Sequence, residues 1–140
     1  MKTLPQNITD LLQDFSKISD IKEKFEFLLE ISEDLDAFPE SQKTQENKIQ
    51  GCASDAWVLI EGDVPVKISG EGDAVISKGI LGFFIQCFEG LSASEILQIK
   101  DDFPEIFTAS GVISSLSPSR ANGAKAMLDK IYSECKKKTA

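Results

Sequence analysis

The sequence predicts an α+β fold, a small three-stranded antiparallel sheet packed against helices. Three observations predict it. Apolar residues recur at helical spacing in the first third and in the last half of the chain. Between them, short apolar segments read as strands, and one of them alternates apolar and polar residues. Gly-rich breaks, Gly51-Cys52-Ala53-Ser54 and Gly70-Glu71-Gly72-Asp73, separate the two kinds of pattern. The resulting order is ααβββααα, and the length of 140 residues suits one domain over 1–140.

The elements follow in order. Ile8, Leu11, Leu12, Phe15 and Ile18 form a helical stripe, with Asn7 or Thr9 as the cap. A second helix opens at Asp20, with Glu23 three residues later as in a capping box, and carries Ile21, Phe25, Leu28, Leu29 and Leu35. Residues 33–48 are polar, contain Pro39 and read as a long surface connection. A short extended segment, Lys48-Ile49-Gln50, precedes the first Gly-rich break. Residues 56–61 and 64–69 read as strands joined by a two-residue Gly62-Asp63 turn. In the second strand Val64, Val66 and Ile68 alternate with polar or prolyl positions, and Pro65 marks an edge.

Asp73 is the expected cap of a third helix bearing Val75, Ile76, Ile80, Phe83, Phe84 and Cys87, with Gly90 past its end. Ser92 and Glu95 make a capping-box pair for a short helix ending near Ile99, and residues 103–108 add one more turn. The last helix enters at Ser117-Pro118. Its stripe is Ala124, Met127, Leu128, Ile131 and Cys135, and Lys136-Lys137-Lys138 suits the negative end of its dipole.

Composition narrows the chemistry. The 41% hydrophobic content and nine Phe can build a core and exclude a disordered chain. Fifteen Lys and Arg against 23 Asp and Glu leave a net charge of −8, which argues against nucleic acid or an anionic membrane as partner. No apolar run reaches the length of a membrane span, and the first residues carry no apolar signal region. Histidine is absent, which removes Ser-His-Asp and Cys-His catalysis and every imidazole metal site. Three cysteines, Cys52, Cys87 and Cys135, are an odd number with no metal-type spacing. A reducing cytoplasm is the expected compartment.

Cys87 and Cys135 fall on apolar helix stripes and read as core. Cys52 belongs to no core face and lies between the small residues Gly51 and Ala53. It reads either as a small buried residue in a turn or as a nucleophilic thiol presented on a loop. Without histidine, hydrolysis would lack a base, whereas thiol exchange needs only a thiolate and a sulfur electrophile such as a partner enzyme's persulfide. Trp57 reads as strand core or as a wall beside Cys52, and together with Ile49 predicts a partly sheltered thiol. Arg120 in the first turn of the last helix opposes the helix dipole, so it is read either as solvated or as paired with a carboxylate or thiolate.

The run Asn47-Lys48-Ile49-Gln50-Gly51-Cys52-Ala53-Ser54-Asp55-Ala56-Trp57 resembles the signature around the acceptor cysteine of SufE-type sulfur-acceptor proteins, including the CsdE branch. Gly70-Glu71-Gly72-Asp73-Ala74 with Lys78-Gly79, and Leu116-Ser117-Pro118-Ser119-Arg120-Ala121-Asn122-Gly123, are similar to two further family segments in the same order. Ala56 departs from the bulkier apolar residue usual before the tryptophan. The resemblance implies the fold shared with iron–sulfur scaffold proteins of the IscU type. It implies a SufS- or CsdA-type cysteine desulfurase as partner, whose persulfide sulfur passes to Cys52 by transpersulfuration and then to an iron–sulfur scaffold complex. Pyridoxal phosphate would sit on that partner, and this chain would need no cofactor and no metal. Gly51, Ser54, Trp57, Asp73 and Arg120 match positions that support the loop or the partner contact.

Three other readings compete. An iron–sulfur scaffold would need several thiolates close together. A peroxidase or redox sensor would want a resolving cysteine near Cys52. A regulatory module would bind and stimulate a desulfurase without carrying sulfur. The sulfur acceptor is the expected function, and a monomer or a weak homodimer both fit.

Overall fold

Among the described residues helices surround one β-hairpin, and the reason several of them begin where they do is local. The computed structural model describes residues 5–51, 55–103 and 118–139. Helix α1 is Gln6–Ser16 and starts on the carbonyl of Pro5, which accepts from the Ile8 and Thr9 amides at 3.1 Å each. No side chain caps it, and Thr9 lies inside the first turn, returning its hydroxyl to Pro5 O at 3.4 Å. The Asn7 or Thr9 cap is therefore corrected: the fixed backbone of Pro5 sets the start instead. The Asn7 side chain is outside the described ones. Ile8, Leu12 and Phe15 are buried, as their spacing predicts.

Helix α2, Ile21–Glu33, is capped by Asp20, whose carboxylate accepts from Lys22 N at 2.8 Å. Leu28 and Ile31 are buried and Phe25 and Leu29 half-buried, whereas Leu35 falls beyond the helix end; the Ile21 side chain lies outside the described ones. The following connection is anchored by buried Phe38 and contains a 3-10 turn, Glu40–Gln42.

Strands β1, Ala56–Gly62, and β2, Val66–Gly72, pair antiparallel with Ala56 opposite Gly72 and Gly62 opposite Val66. The α+β class holds. The segment expected as a further strand runs along the other edge of β1 as a bridge between Lys48 and Trp57. Two corrections concern β2. The turn is Asp63-Val64-Pro65 rather than Gly62-Asp63, with a cis Val64–Pro65 peptide and Val64 81% exposed. It is held from outside: Ala93 N donates to Asp63 O at 3.1 Å and Val66 N to Leu91 O at 3.0 Å. Second, Gly70-Glu71-Gly72 is the end of a strand, not a turn. A Cβ on Gly70 would land on Leu81 of the next helix, so the glycine here serves close packing.

That helix, α3, is Val75–Phe88 and has Ala74, not Asp73, at its N-cap, with no side-chain cap bond. It packs on the inner sheet face and on α2, so closely that a side chain on Gly79 would strike the Leu28 carbonyl. Helix α4, Ala93–Gln98, carries the predicted capping box: Glu95 N donates to Ser92 Oγ at 3.1 Å and Ser92 N to Glu95 Oε1 at 3.0 Å. Of the turn expected over residues 103–108, only Phe103 is described.

Helix α5 is Pro118–Thr139, and all five residues of its predicted stripe are buried. Phe15, Phe83, Phe84, Phe88 and Phe103 lie fully inside, and edge-to-face contacts such as Phe15–Phe83 at 5.8 Å link α1 to α3. Each such side chain contributes about 1.5–3 kcal/mol through burial.

Candidate functional site

The two chain ends around Cys52 are held by the hairpin edge. Ile49 N donates to Ala56 O at 2.8 Å and Val58 N to Asn47 O at 3.0 Å, so residues 47–49 and 56–58 run side by side. Across this base Lys48 Nζ lies 3.0 Å from Asp55 Oδ1. Gly51 has φ +94°, a left-handed conformation that favours glycine. It also faces α5, where an added Cβ would sit 3.4 Å from Ala126 Cβ. Cys52, Ala53 and Ser54 lie outside the described residues, and with them the predicted sheltering of the Cys52 thiol. Its expected neighbours are placed: Ile49 is buried and Trp57 is half-buried.

Trp57 stands on the outer sheet face rather than in the core. It is opposite Glu71 in the ladder, and Lys43 Nζ lies 5.4 Å from its ring centroid. The hydrogen bond to Glu40 is the main cause raising the Lys43 amine above its ordinary pKa; desolvation opposes this, and the charges of Glu71 and Asp73 add to it. Glu71 in turn lies 3.4 Å from Lys78 Nζ. Asp73, expected as a helix cap, acts through its backbone: its N–H donates to Asp55 O at 2.9 Å and joins the end of β2 to the foot of the Cys52 segment.

Arg120, half-buried, donates from an Nη to Ser77 Oγ at 2.7 Å. Ser77 is buried in the first turn of α3, so this bond joins the opening turns of α3 and α5. The structure thus gathers Gly51, Trp57 and Asp73 around one loop base, and ties Arg120 to the helix that begins just after Asp73. Lys43, Lys48, Asp55 and Ser77 were not singled out from sequence as site residues. Lys48 and Asp55 fall inside the quoted Asn47–Trp57 run, but a seven-residue separation across a loop has no periodicity to announce it.

The other two thiols are in the core. Cys87 and Cys135 form no disulfide and have no exposed surface. Burial pushes both thiols up, Cys135 to about 11 and Cys87 further, so both remain protonated at neutral pH. Among the described residues no group of three or more Cys, Asp or Glu is arranged to hold a metal ion, and no helix is long and apolar enough to cross a membrane.

Residues 9–135 match the family model SufE, Fe-S metabolism associated domain. The chain belongs to the SufE family. It is 34% identical over 133 residues to an uncharacterized SufE-like protein of Rhizobium meliloti, covering 91% of this chain and 94% of that one. An uncharacterized SufE-like protein of Synechocystis is 37% identical over 122 residues, 86% of this chain and 75% of that protein. SufE-like protein 1, chloroplastic/mitochondrial, of Arabidopsis thaliana is 32% identical, covering 91% of this chain and 34% of the plant protein. The solution structure of a hypothetical protein from Thermus thermophilus superposes with a TM-score of 0.80 at 20% identity, over 99% of this chain and 100% of that one. That likeness shows the α+β fold, and the family places the chain in iron–sulfur metabolism.

Proposed function

We propose that this SufE domain accepts sulfur on Cys52 from a cysteine desulfurase of the SufS or CsdA type and delivers it to an iron–sulfur scaffold complex. The observation that carries the reading is the complete burial of Cys87 and Cys135. Neither can meet a partner's persulfide without unfolding, which leaves Cys52 as the thiol for the task. The Cys52 thiolate attacks the outer sulfur of the partner's persulfide. A new S–S bond forms on Cys52, the partner's S–S bond breaks, and its cysteine leaves as a thiolate. The transferred sulfur keeps its proton, so no oxidant or reductant is consumed.

The loop base supports that step. Gly51 gives the segment its reversal beside α5, and Ser54 lies within the segment. Trp57 and Asp73 brace its foot through the outer sheet face and through Asp55. Arg120 steadies the opening turns of α3 and α5 beside it. The chain itself needs no cofactor for this exchange; the desulfurase brings the pyridoxal phosphate. Three cysteines far apart in sequence suit a reducing compartment, and the cytoplasm is the one this reading assigns.

Incubation with a cysteine desulfurase, pyridoxal phosphate and free cysteine, followed by mass spectrometry, tests the reading. A gain of about 32 Da per sulfur atom on Cys52, absent from Cys52→Ser, supports it. Acceleration of the desulfurase by Cys52→Ser as strong as by the natural chain, with no adduct on either, would replace it by a regulatory binder.

A further inference from the structure

The second edge of the hairpin opens into a groove of 1210 Å³ lined by α1, the end of α2, β2 and the end of α3. No residue of the Cys52 loop base lines it. Its backbone chemistry follows from the ladder. Ala56 and Val58 turn their backbone groups toward residues 47–49, so Trp57, Leu59 and Glu61 turn theirs toward Glu71, Ser69 and Lys67 of β2. Val66, Ile68 and Gly70 therefore direct their N–H and C=O groups away from β1. Val66 N finds Leu91 O at 3.0 Å. The N–H and C=O groups of Ile68 and Gly70 have no backbone partner among the described residues, and both residues line the groove.

The groove has an apolar floor and an acidic rim. Leu11, Leu35, Ile68 and Ile85 are half-buried along it. Five exposed carboxylates, Asp10, Asp14, Asp34, Asp36 and Glu89, stand against one cation, Lys67. None of the five takes part in an ion pair among the described residues, whereas Glu40, Asp55, Glu71 and Glu134 all do. A second copy of this chain is a poor occupant, because edge-to-edge pairing would bring two such rims together.

We propose that the edge of β2 left unpaired by the described residues is a docking site for an extended, lysine- or arginine-bearing segment of a partner protein, which pairs with Ile68 and Gly70 as an added strand. Main-chain hydrogen bonds supply the affinity. Alternate side chains of the incoming strand rest on the apolar floor, and the cationic ones between them meet the carboxylates. This surface shares no residue with the described base of the Cys52 segment, so the domain can hold a partner here while Cys52 is engaged elsewhere.

The test is amide NMR of the full chain titrated with a capped nine-residue peptide of alternating Lys and Val. The Ile68 and Gly70 amides shift and their hydrogen exchange slows. Binding weakens as salt rises. The double charge reversal Asp34→Lys, Asp36→Lys weakens it roughly tenfold, as loss of rim complementarity predicts; Glu89→Lys, which leaves α2 untouched, weakens it in the same sense. Cys52→Ser binds as well as the natural chain. Equal binding of a Glu-Val peptide, unchanged binding by both sets of charge variants, or shifts confined to other residues would overturn the proposal. Concentration-dependent shifts at Ile68 and Gly70 without peptide would assign the edge to a second copy and overturn it as well.

Discussion

Lys48 Nζ and Asp55 Oδ1 stand 3.0 Å apart across the foot of the segment that carries Cys52. The pair is partly exposed, with the two side chains 34% and 53% accessible, so its worth to global stability is small, about 0–1 kcal/mol. Its position matters more. It balances charge three residues from the one cysteine proposed to react.

Opposite single substitutions should therefore move Cys52 in opposite directions. Asp55→Asn leaves Lys48 unbalanced and favours the thiolate, lowering the apparent pKa of Cys52 alkylation by on the order of a few tenths of a unit at low salt. Lys48→Ala leaves Asp55 unbalanced and raises it by a similar amount. The pH profile of iodoacetamide labelling at Cys52 checks both, and equal shifts of one sign would show that loop opening, not charge, controls the thiol.

Arg120 and Ser77 supply a second test. Their 2.7 Å bond places a guanidinium on a buried hydroxyl and links two helix openings far apart in sequence. A double-mutant cycle of Arg120→Ala and Ser77→Ala, followed by urea unfolding, should return a coupling of about 1–2 kcal/mol. A coupling indistinguishable from zero would mean that the two residues act separately.

The buried thiols predict an alkaline weakness. Cys135 has its pKa raised by burial from 9.0 to about 11, so the unfolded chain loses this proton first as pH rises. Between these values the folded state binds more protons than the unfolded one, and stability falls with pH. The contribution is whole below about pH 9 and is lost through the window up to about 11. Urea unfolding of the natural chain and of Cys135→Ala at several alkaline pH values checks the sign: the alanine variant, though less stable near neutrality, should lose less between pH 9 and 11.

Much of the helical part of the fold was legible in the sequence, because a helix face and its cap are encoded within a turn or two of chain. Met127, Ile131 and Cys135 needed only their spacing to be assigned inward, and Ser92 with Glu95 needed only three residues to form a capping box. Asp20 caps its helix as expected, but by accepting from Lys22 N, and the reciprocal Glu23 bond of the expected capping box is not found among the described residues. The family was legible too, since its motifs are contiguous runs. For the candidate site, the quoted runs pointed to Gly51, Trp57, Asp73 and Arg120 but not to what each touches.

Tertiary structure decided the rest. Gly70 reads as a turn residue until Leu81 is packed on it, and Gly62-Asp63 reads as a tight hairpin until Ala93 at the start of α4 and Leu91 just before it take hold of Asp63 and Val66. Asp73 has the side chain of a helix cap but contributes its backbone N–H to Asp55, and Arg120 finds its partner 43 residues away. These pairings depend on which surfaces meet after the helices pack around the hairpin, and no local periodicity carries that information. The sequence by itself determined most of the helix faces, the caps at Asp20 and Ser92, the absence of imidazole chemistry and the cysteine to consider. Only the packed chain tied Asp73 to Asp55 and Arg120 to Ser77 and left one edge of β2 without a backbone partner among the described residues, because such contacts are properties of surfaces brought together from distant segments.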